Sequence, residues 1–385
     1  MSHPSSAIST HRVAILFANL KGNLGDFAIL QAMIHQIKSA CPATGIDVFA
    51  HPLVPIDALR LEAFQRYNEG VRFPGVSYYK PPGFFERLLL STFLRRWIQP
   101  RMIESFASQA EASMASFAAY EAVYFAGGDQ WSGKDLGHAM FGTLVAVQRI
   151  NPHVFCFPFS LKKSMTGLYP SGLLSSYFAR LRQPVIVRDS LTKGIMDDLG
   201  VTCVQGADCV FSLPDNLAEG EAAEGRDPER VLFVVKGQEA NLAAAMEKLL
   251  EQSVRIELLS TCPQEDDRIF QSLAARFSIP YHTPATWQEV IAEFRASSLI
   301  VTNRLHGLIL GSLARVPLLP VTDRKKSLAF ALDAAMPHHV PAVTDVTREL
   351  LQKTLIDKDQ VLRQMRTYQE LCRSQPNSPI NPNLP

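Results

Sequence analysis

Arg304 and His306 stand two residues apart. They follow the apolar run Leu299-Ile300-Val301 and precede Leu308, Ile309 and Leu313 at helical spacing. They therefore fall where a strand ends and a helix begins. In α/β proteins that edge gathers helix N–H groups and loops around ligands. A guanidinium offers an anion a bidentate fork, and an imidazole carries a proton near neutral pH. Thr302 and Asn303 end the strand and are expected to cap the helix. Arg188 follows the run Pro184 to Val187, and Lys325 and Lys326 follow Val316 to Val321, so all three occupy the same kind of edge. Two facing loops carry Asn23, Gly25 and Asp26 after Arg12 to Ala18, and Gly127, Gly128 and Asp129 after Glu121 to Ala126. Glycine lets backbone approach a ligand closely, and the two carboxylates are candidate bases. Plainer roles compete: Gly25 as a tight turn, Asp26 as a capping acid, Arg304 as an ion-pair partner, His306 as a helix cap.

The totals bound what surrounds these groups. A chain of 385 residues is too long for one typical core, so two domains are expected. With 47% hydrophobic and 19% charged residues it is a folded composition, not a disordered one. A net charge of +1 gives no global field for nucleic acid, so anion specificity must be local. The six cysteines are scattered without C-x-x-C spacing, which reads as buried reduced thiols. No His/Cys/Asp cluster has metal-ligand spacing, so no metal is expected. The Ser/Pro-bearing start lacks the apolar core of a signal peptide, and no run is long enough to span a membrane. A cytoplasmic protein is the default expectation.

Strand-like and helix-like runs alternate along the chain, which predicts parallel sheets. Residues 11–213 read as an N-terminal α/β domain and 214–229 as an acidic, turn-rich linker. Residues 230–346 read as a second α/β domain and 347–385 as a helix with a frayed tail, the helix crossing back to brace the first domain. The two units are expected to face each other across a cleft. Residues 52–83 look irregular, and Phe84 to Tyr120 looks helical with an interruption near Pro100. The basic amphipathic start of that stretch is read as a helix packed on the core. Contact of residues 84–99 with a membrane surface is the second reading. The glycines after Arg12 to Ala18 form neither G-x-G-x-x-G nor a P-loop. His138, His282 and the His338-His339 pair read as structural.

Five features in order resemble the polysaccharide pyruvyl transferase family. They are Asn23-x-Gly25-Asp26, Gly127-Gly128, Arg188-Asp189-Ser190, Gly206-Ala207-Asp208, and Arg304-Leu305-His306-Gly307 leading to Val316-Pro317. The resemblance runs from about Val13 to about Phe330, and Arg-Leu-His is its most specific piece. This chain departs from the family's pattern at Asp129, often a third glycine, and at Asp189, often glutamate. The resemblance implies a glycosyltransferase-B-like pair of Rossmann-like domains, with phosphoenolpyruvate as co-substrate and no cofactor. It implies a hexose or N-acetylhexosamine acceptor in a lipid-linked or nascent surface polysaccharide, reached at the inner face of the membrane. The product is a cyclic pyruvate ketal, with phosphate released. On that chemistry Arg188 and Arg304 would clamp phosphoenolpyruvate from the two halves, and Lys325 or Lys326 would add charge. His306 would protonate the methylene carbon, and Asp26, with Asp129 behind it, would take the sugar hydroxyl's proton. Two other readings stay open: a nucleotide-sugar glycosyltransferase of the same plan, and a non-catalytic homologue in a polysaccharide assembly complex.

Overall fold

The computed structural model describes residues 11–52, 55–77, 95–129, 137–161, 171–181, 185–214, 227–375 and 379–380. The first apolar run forms β1 (Arg12–Ala18), buried from Val13 onward as a strand covered on both faces must be. It lies in a parallel sheet of order β3-β2-β1-β4-β5. There β2 is Gly45–Ala50, β3 Val71–Val76, β4 Ala122–Phe125 and β5 Val154–Cys156. Parallel bridges from Gly128 to Phe159 and on to Val187 extend it toward β6 (Val185–Val187) and β7 (Cys203–Gln205). The second domain repeats the plan as β10-β9-β8-β11-β12. Its strands are β8 (Val231–Val234), β9 (Ile256–Leu259), β10 (Tyr281–His282), β11 (Leu299–Thr302) and β12 (Leu318–Pro320).

Each sheet reverses its strand order beside its first strand, between β1 and β4 and between β8 and β11. Loops leaving the two strands at such a point diverge to opposite faces and leave a crevice. The Asn19–Asp26, Gly127–Asp129 and Asn303–His306 segments all leave strands at these points.

Helices cover the sheets. The first domain carries α1 (Leu24–Ala40), α2 (Ala58–Tyr67), α3 (Arg95–Ser113), α4 (Gly137–Ile150), α5 (Ser171–Phe178) and α6 (Ser190–Asp198). The second carries α7 (Glu239–Glu251), α8 (Pro263–Phe277), α9 (Trp287–Arg295), α10 (Leu305–Ala314) and α11 (Lys325–Asp333). The tail forms α12 (Arg348–Ile356) and α13 (Lys358–Ser374).

The halves are joined directly. The Leu24 amide donates to the Thr261 carbonyl at 2.9 Å, and Arg60 Nη2 donates to the Pro284 carbonyl at 2.9 Å. α13 does cross back: Tyr368 stands edge-on to Phe211 of the first domain and Phe330 of the second, at 5.8 and 5.2 Å between ring centroids. Arg373 Nε donates to the Phe211 carbonyl at 3.0 Å.

Some expectations need correction. The stretch 52–83 is not wholly irregular. It holds α2, whose N-cap Asp57 accepts from the Arg60 amide at 3.1 Å, and β3. α3 runs unbroken through Pro100. α11 follows β12 where only a charged edge was expected. Residues 84–94 and most of the linker lie outside the described residues, so the membrane-contact reading does too. Among the described residues no helix is long and apolar enough to cross a membrane.

Candidate active site

The strand ends converge on a cleft of about 820 Å³ between the domains. Asn19, Asn23, Asp26, Asp129 and Arg188 line it from one side, and Lys236, Arg304, His306, Arg324, Lys325 and Lys326 from the other. Six cationic side chains face five carboxylates there, so with any carboxylate protonated the cleft favours an anion.

The turn after β11 is built by its own side chains. Thr302 Oγ1 donates to the Val234 carbonyl at 2.6 Å and accepts from the Arg304 amide at 3.1 Å. Asn303 ties β11 to the end of β8: it accepts from the Lys236 amide at 2.8 Å and donates to the Lys236 carbonyl at 2.7 Å. Neither side chain caps α10, contrary to the expectation from sequence. The N-cap position is Arg304, with no side-chain cap and no acid in the first turn. α11 starts the same way behind Arg324, with Lys325 and Lys326 in its first turn. A cation at an uncapped helix N-terminus works against the helix dipole. Two such ends at one cleft are locally unfavourable unless an anion accepts from their amides. Gly307 is required by the same turn, because a Cβ there would overlap Thr302 Oγ1.

Arg188 is buried, and each of its three nitrogens already donates to a protein group. Nη1 reaches Asp208 at 2.6 Å, Nε reaches Ser160 Oγ at 2.7 Å, and Nη2 pairs with Asp129. Ser160 passes the connection on by donating to Asp189, which caps α6 by accepting from the Thr192 amide at 2.7 Å. Arg304 is likewise held, pairing with the buried Asp266 and lying 3.4 Å from Glu265. The two arginines expected to clamp the donor thus both line the cleft, each already paired with carboxylates. Both are fixed in place by carboxylates, which costs desolvation but sets their direction. Lys326 pairs with Asp129 across the cleft. Arg324 and Lys325 line it without an ion pair among the described residues.

The Asp26 loop and His306 meet where the domains touch, through Gly25. An added Cβ on Gly25 would overlap the His306 ring, so the glycine of Asn23-x-Gly25-Asp26 leaves room for the imidazole. Asn23 caps α1 by accepting from the Gly25 amide at 3.2 Å. Asp26 is buried, accepts from Asn19 Nδ2 at 2.7 Å, and is pushed up to about 7 by burial, reinforced by Asp129. Burial pushes His306 down to about 4. Its Nε2 is buried without a hydrogen-bond partner among the described residues. The imidazole is thus neutral, and Asp26 keeps its proton up to about pH 7. Asp129 behaves differently: partial removal from bulk water opposes its charge, but Arg188 and Lys326 outweigh that and hold it ionised.

Ser160, Asp208, Asn19, Asn303 and the Glu265-Asp266 pair were not singled out as site residues from sequence. Only Asp208 had a signal, the Gly-Ala-Asp motif. Glu265 and Asp266 also bear on the nucleotide-sugar reading, since an acidic pair in this domain could hold a ribose or a metal. The pair exists but is occupied by Arg304 and Lys236. His282 and His338 are structural as expected: His282 lies 2.8 Å from Glu257, and His338 lies 2.8 Å from Asp357.

Similarity to solved structures is broad. The chain matches the Staphylococcus aureus MnaA–UDP structure with a TM-score of 0.55, 12% identity and coverage of 96% and 92% of the two chains. It matches Medicago truncatula UGT71G1 complexed with UDP-glucose at 0.51, 13% identity, 96% and 95%. It matches Acinetobacter baumannii MurG at 0.50, 13% identity, 95% and 96%. At such identities the likeness fixes the fold, which is the two-domain glycosyltransferase-B plan. Comparison with curated protein sequences gave no match. The sequence profile described as polysaccharide pyruvyl transferase matches residues 23–323, from the cap of α1 to the loop behind β12. The chain belongs to the polysaccharide pyruvyl transferase family.

Proposed function

We propose that the protein transfers the enolpyruvyl group of phosphoenolpyruvate to two hydroxyls of one sugar in a surface polysaccharide or its lipid-linked precursor. The observation that carries this reading is the pair of uncapped helix N-termini, α10 and α11, each led by an arginine into one cleft beside His306 and Asp26. A phosphate and a carboxylate on one small molecule suit two such ends. Arg304, Arg324 and Lys325 supply charge, and Arg188 acts from behind Asp129.

The chemistry needs a proton on the methylene carbon and a base for the attacking hydroxyl. A neutral His306 and a carboxyl on Asp26 that keeps its proton up to about pH 7 support exchanging the roles expected from sequence. Asp26 donates its proton to the carbon, and neutral His306 takes the hydroxyl proton as oxygen bonds to the adjacent carbon. The second hydroxyl then attacks that carbon, the bond to phosphate breaks, phosphate leaves with the second hydroxyl's proton, and the proton on His306 returns to Asp26 through solvent. One phosphoenolpyruvate and one diol give one ketal and one phosphate. Of the loop residues expected on the acceptor side, Asn23 lines the cleft, whereas Gly25 packs on the His306 ring, Gly127 on the Pro158 carbonyl, and Gly128 bridges to Phe159. The cleft is several times larger than the donor, which leaves room for the sugar.

The nucleotide-sugar reading draws on the fold alone, since the acids near Arg304 are already paired. Mass measurement of cellular polysaccharide with and without the protein tests the proposal. Loss of a pyruvate-sized increment is expected, and an unchanged glycan would count against it.

A further inference from the structure

Asp129 holds an unusual position. One oxygen, Oδ1, is shared by Arg188 Nη2 from the first domain and Lys326 Nζ from the second. Arg188 cannot turn away to other work, because Asp208 and Ser160 hold its remaining nitrogens. Its Nη2 and the lysine thus define a fixed two-cation seat spanning the domains. Asp129 itself is about half-exposed to the cleft, with 48% of its side chain accessible, while Arg188 beneath it shows 2%. A carboxylate is therefore in the place where a ligand oxygen would be most strongly held, on the open side of a buried guanidinium.

We infer that Asp129 is a specificity-determining residue: its carboxylate fills the anion seat between Arg188 and Lys326, and only an anion that satisfies both cations and the neighbouring helix amides displaces it. A phosphate-bearing dianion brings enough charge and enough acceptor oxygens to do so. A monocarboxylate offers no more than Asp129 already provides. The inference rests on the reading that this cleft binds an anionic donor, and it names the residue that sets which anions enter. Removing the carboxylate removes a like charge a few ångströms from the bound ligand. That is worth on the order of tenfold or more in affinity.

Calorimetric titration of the full chain at fixed ionic strength tests this, using wild type, Asp129→Asn and Asp129→Ala against inorganic phosphate, phosphoenolpyruvate and pyruvate. The amide keeps the shape of the carboxylate, and the alanine empties the seat. Both variants should bind phosphate and phosphoenolpyruvate at least about tenfold more tightly, and both should gain pyruvate binding that the wild type lacks. Affinity that is unchanged or weaker in both variants overturns the inference, as does unaltered preference for phosphate over pyruvate, or no binding by any of the three proteins. Phosphate binding reads the seat whatever the reaction. Tighter binding in a protein that releases no phosphate from phosphoenolpyruvate would refute the reaction and leave the seat. Equal affinities in a protein that does release it would refute the seat and leave the reaction.

Discussion

Replacing Asp26 with Asn should stabilise the fold at alkaline pH while sharply lowering turnover. Asp26 is 8% exposed, and its carboxyl is raised from 3.8 to about 7, by burial first and then by Asp129. One pKa unit corresponds to ~1.36 kcal/mol, so keeping this group ionised costs the folded state ~4 kcal/mol above pH 7. The sign follows from proton binding. Below the unfolded value near 3.8 both states are protonated and the group costs nothing. Between there and about 7 the unfolded chain ionises while the folded one keeps its proton, so stability falls as pH rises. Above about 7 both are ionised and the full cost remains. The amide of Asp26→Asn has no such cost, and its oxygen can still accept from Asn19. The assay is urea denaturation of both proteins at intervals from pH 4.5 to 8.5, a range chosen about the two pKa values. The variant's advantage should grow with pH up to ~4 kcal/mol and then level off. A difference that does not vary with pH, or one that shrinks between pH 5 and pH 8, would refute the burial argument for Asp26.

Other consequences follow from the same geometry. In wild type, kcat/KM should fall below a limb near pH 4, set by His306, and above one near 7, set by Asp26. Residual activity of Asp26→Asn should lack the upper limb. Gly25→Ala should push the His306 ring aside and lower kcat on the order of a hundredfold with secondary structure kept, as circular dichroism would record. Tyr368→Ala removes a ring wedged between Phe211 and Phe330 and should cost about 3–5 kcal/mol in denaturation, with the domains losing common unfolding behaviour. Arg304→Lys keeps charge but loses the fork that reaches Asp266 and Glu265 together, so donor KM should rise about tenfold or more, read from initial rates.

Much of this architecture was legible because parallel strands covered on both faces are written as unbroken apolar runs. The span Leu299 to Thr302 was identifiable to the residue, and its turn into α10 followed from helical spacing. α11 was not legible. Lys325-Lys326 in a first turn contradicts every helix-start signal, and the contradiction marks the site rather than the helix. α2 was obscured by the prolines before it, although Asp57 is an ordinary cap. The positions of Arg188, Arg304, Asp26 and His306 at strand edges followed from sequence, but their charge states did not. Asp208 reaches Arg188 across 20 residues and Asp266 reaches Arg304 across 38, so which cations are already neutralised depends on packing. The proton on Asp26 depends on burial between domains, which no local pattern encodes.

The most direct test is to incubate the purified protein with phosphoenolpyruvate and a glycan acceptor, with and without sugar nucleotide, and to follow both possible leaving groups. Inorganic phosphate should be released in step with a pyruvate ketal on the glycan, and both should be lost in His306→Ala. Release of nucleoside diphosphate from the sugar nucleotide, with none of the phosphate of phosphoenolpyruvate set free, would contradict the proposed reaction.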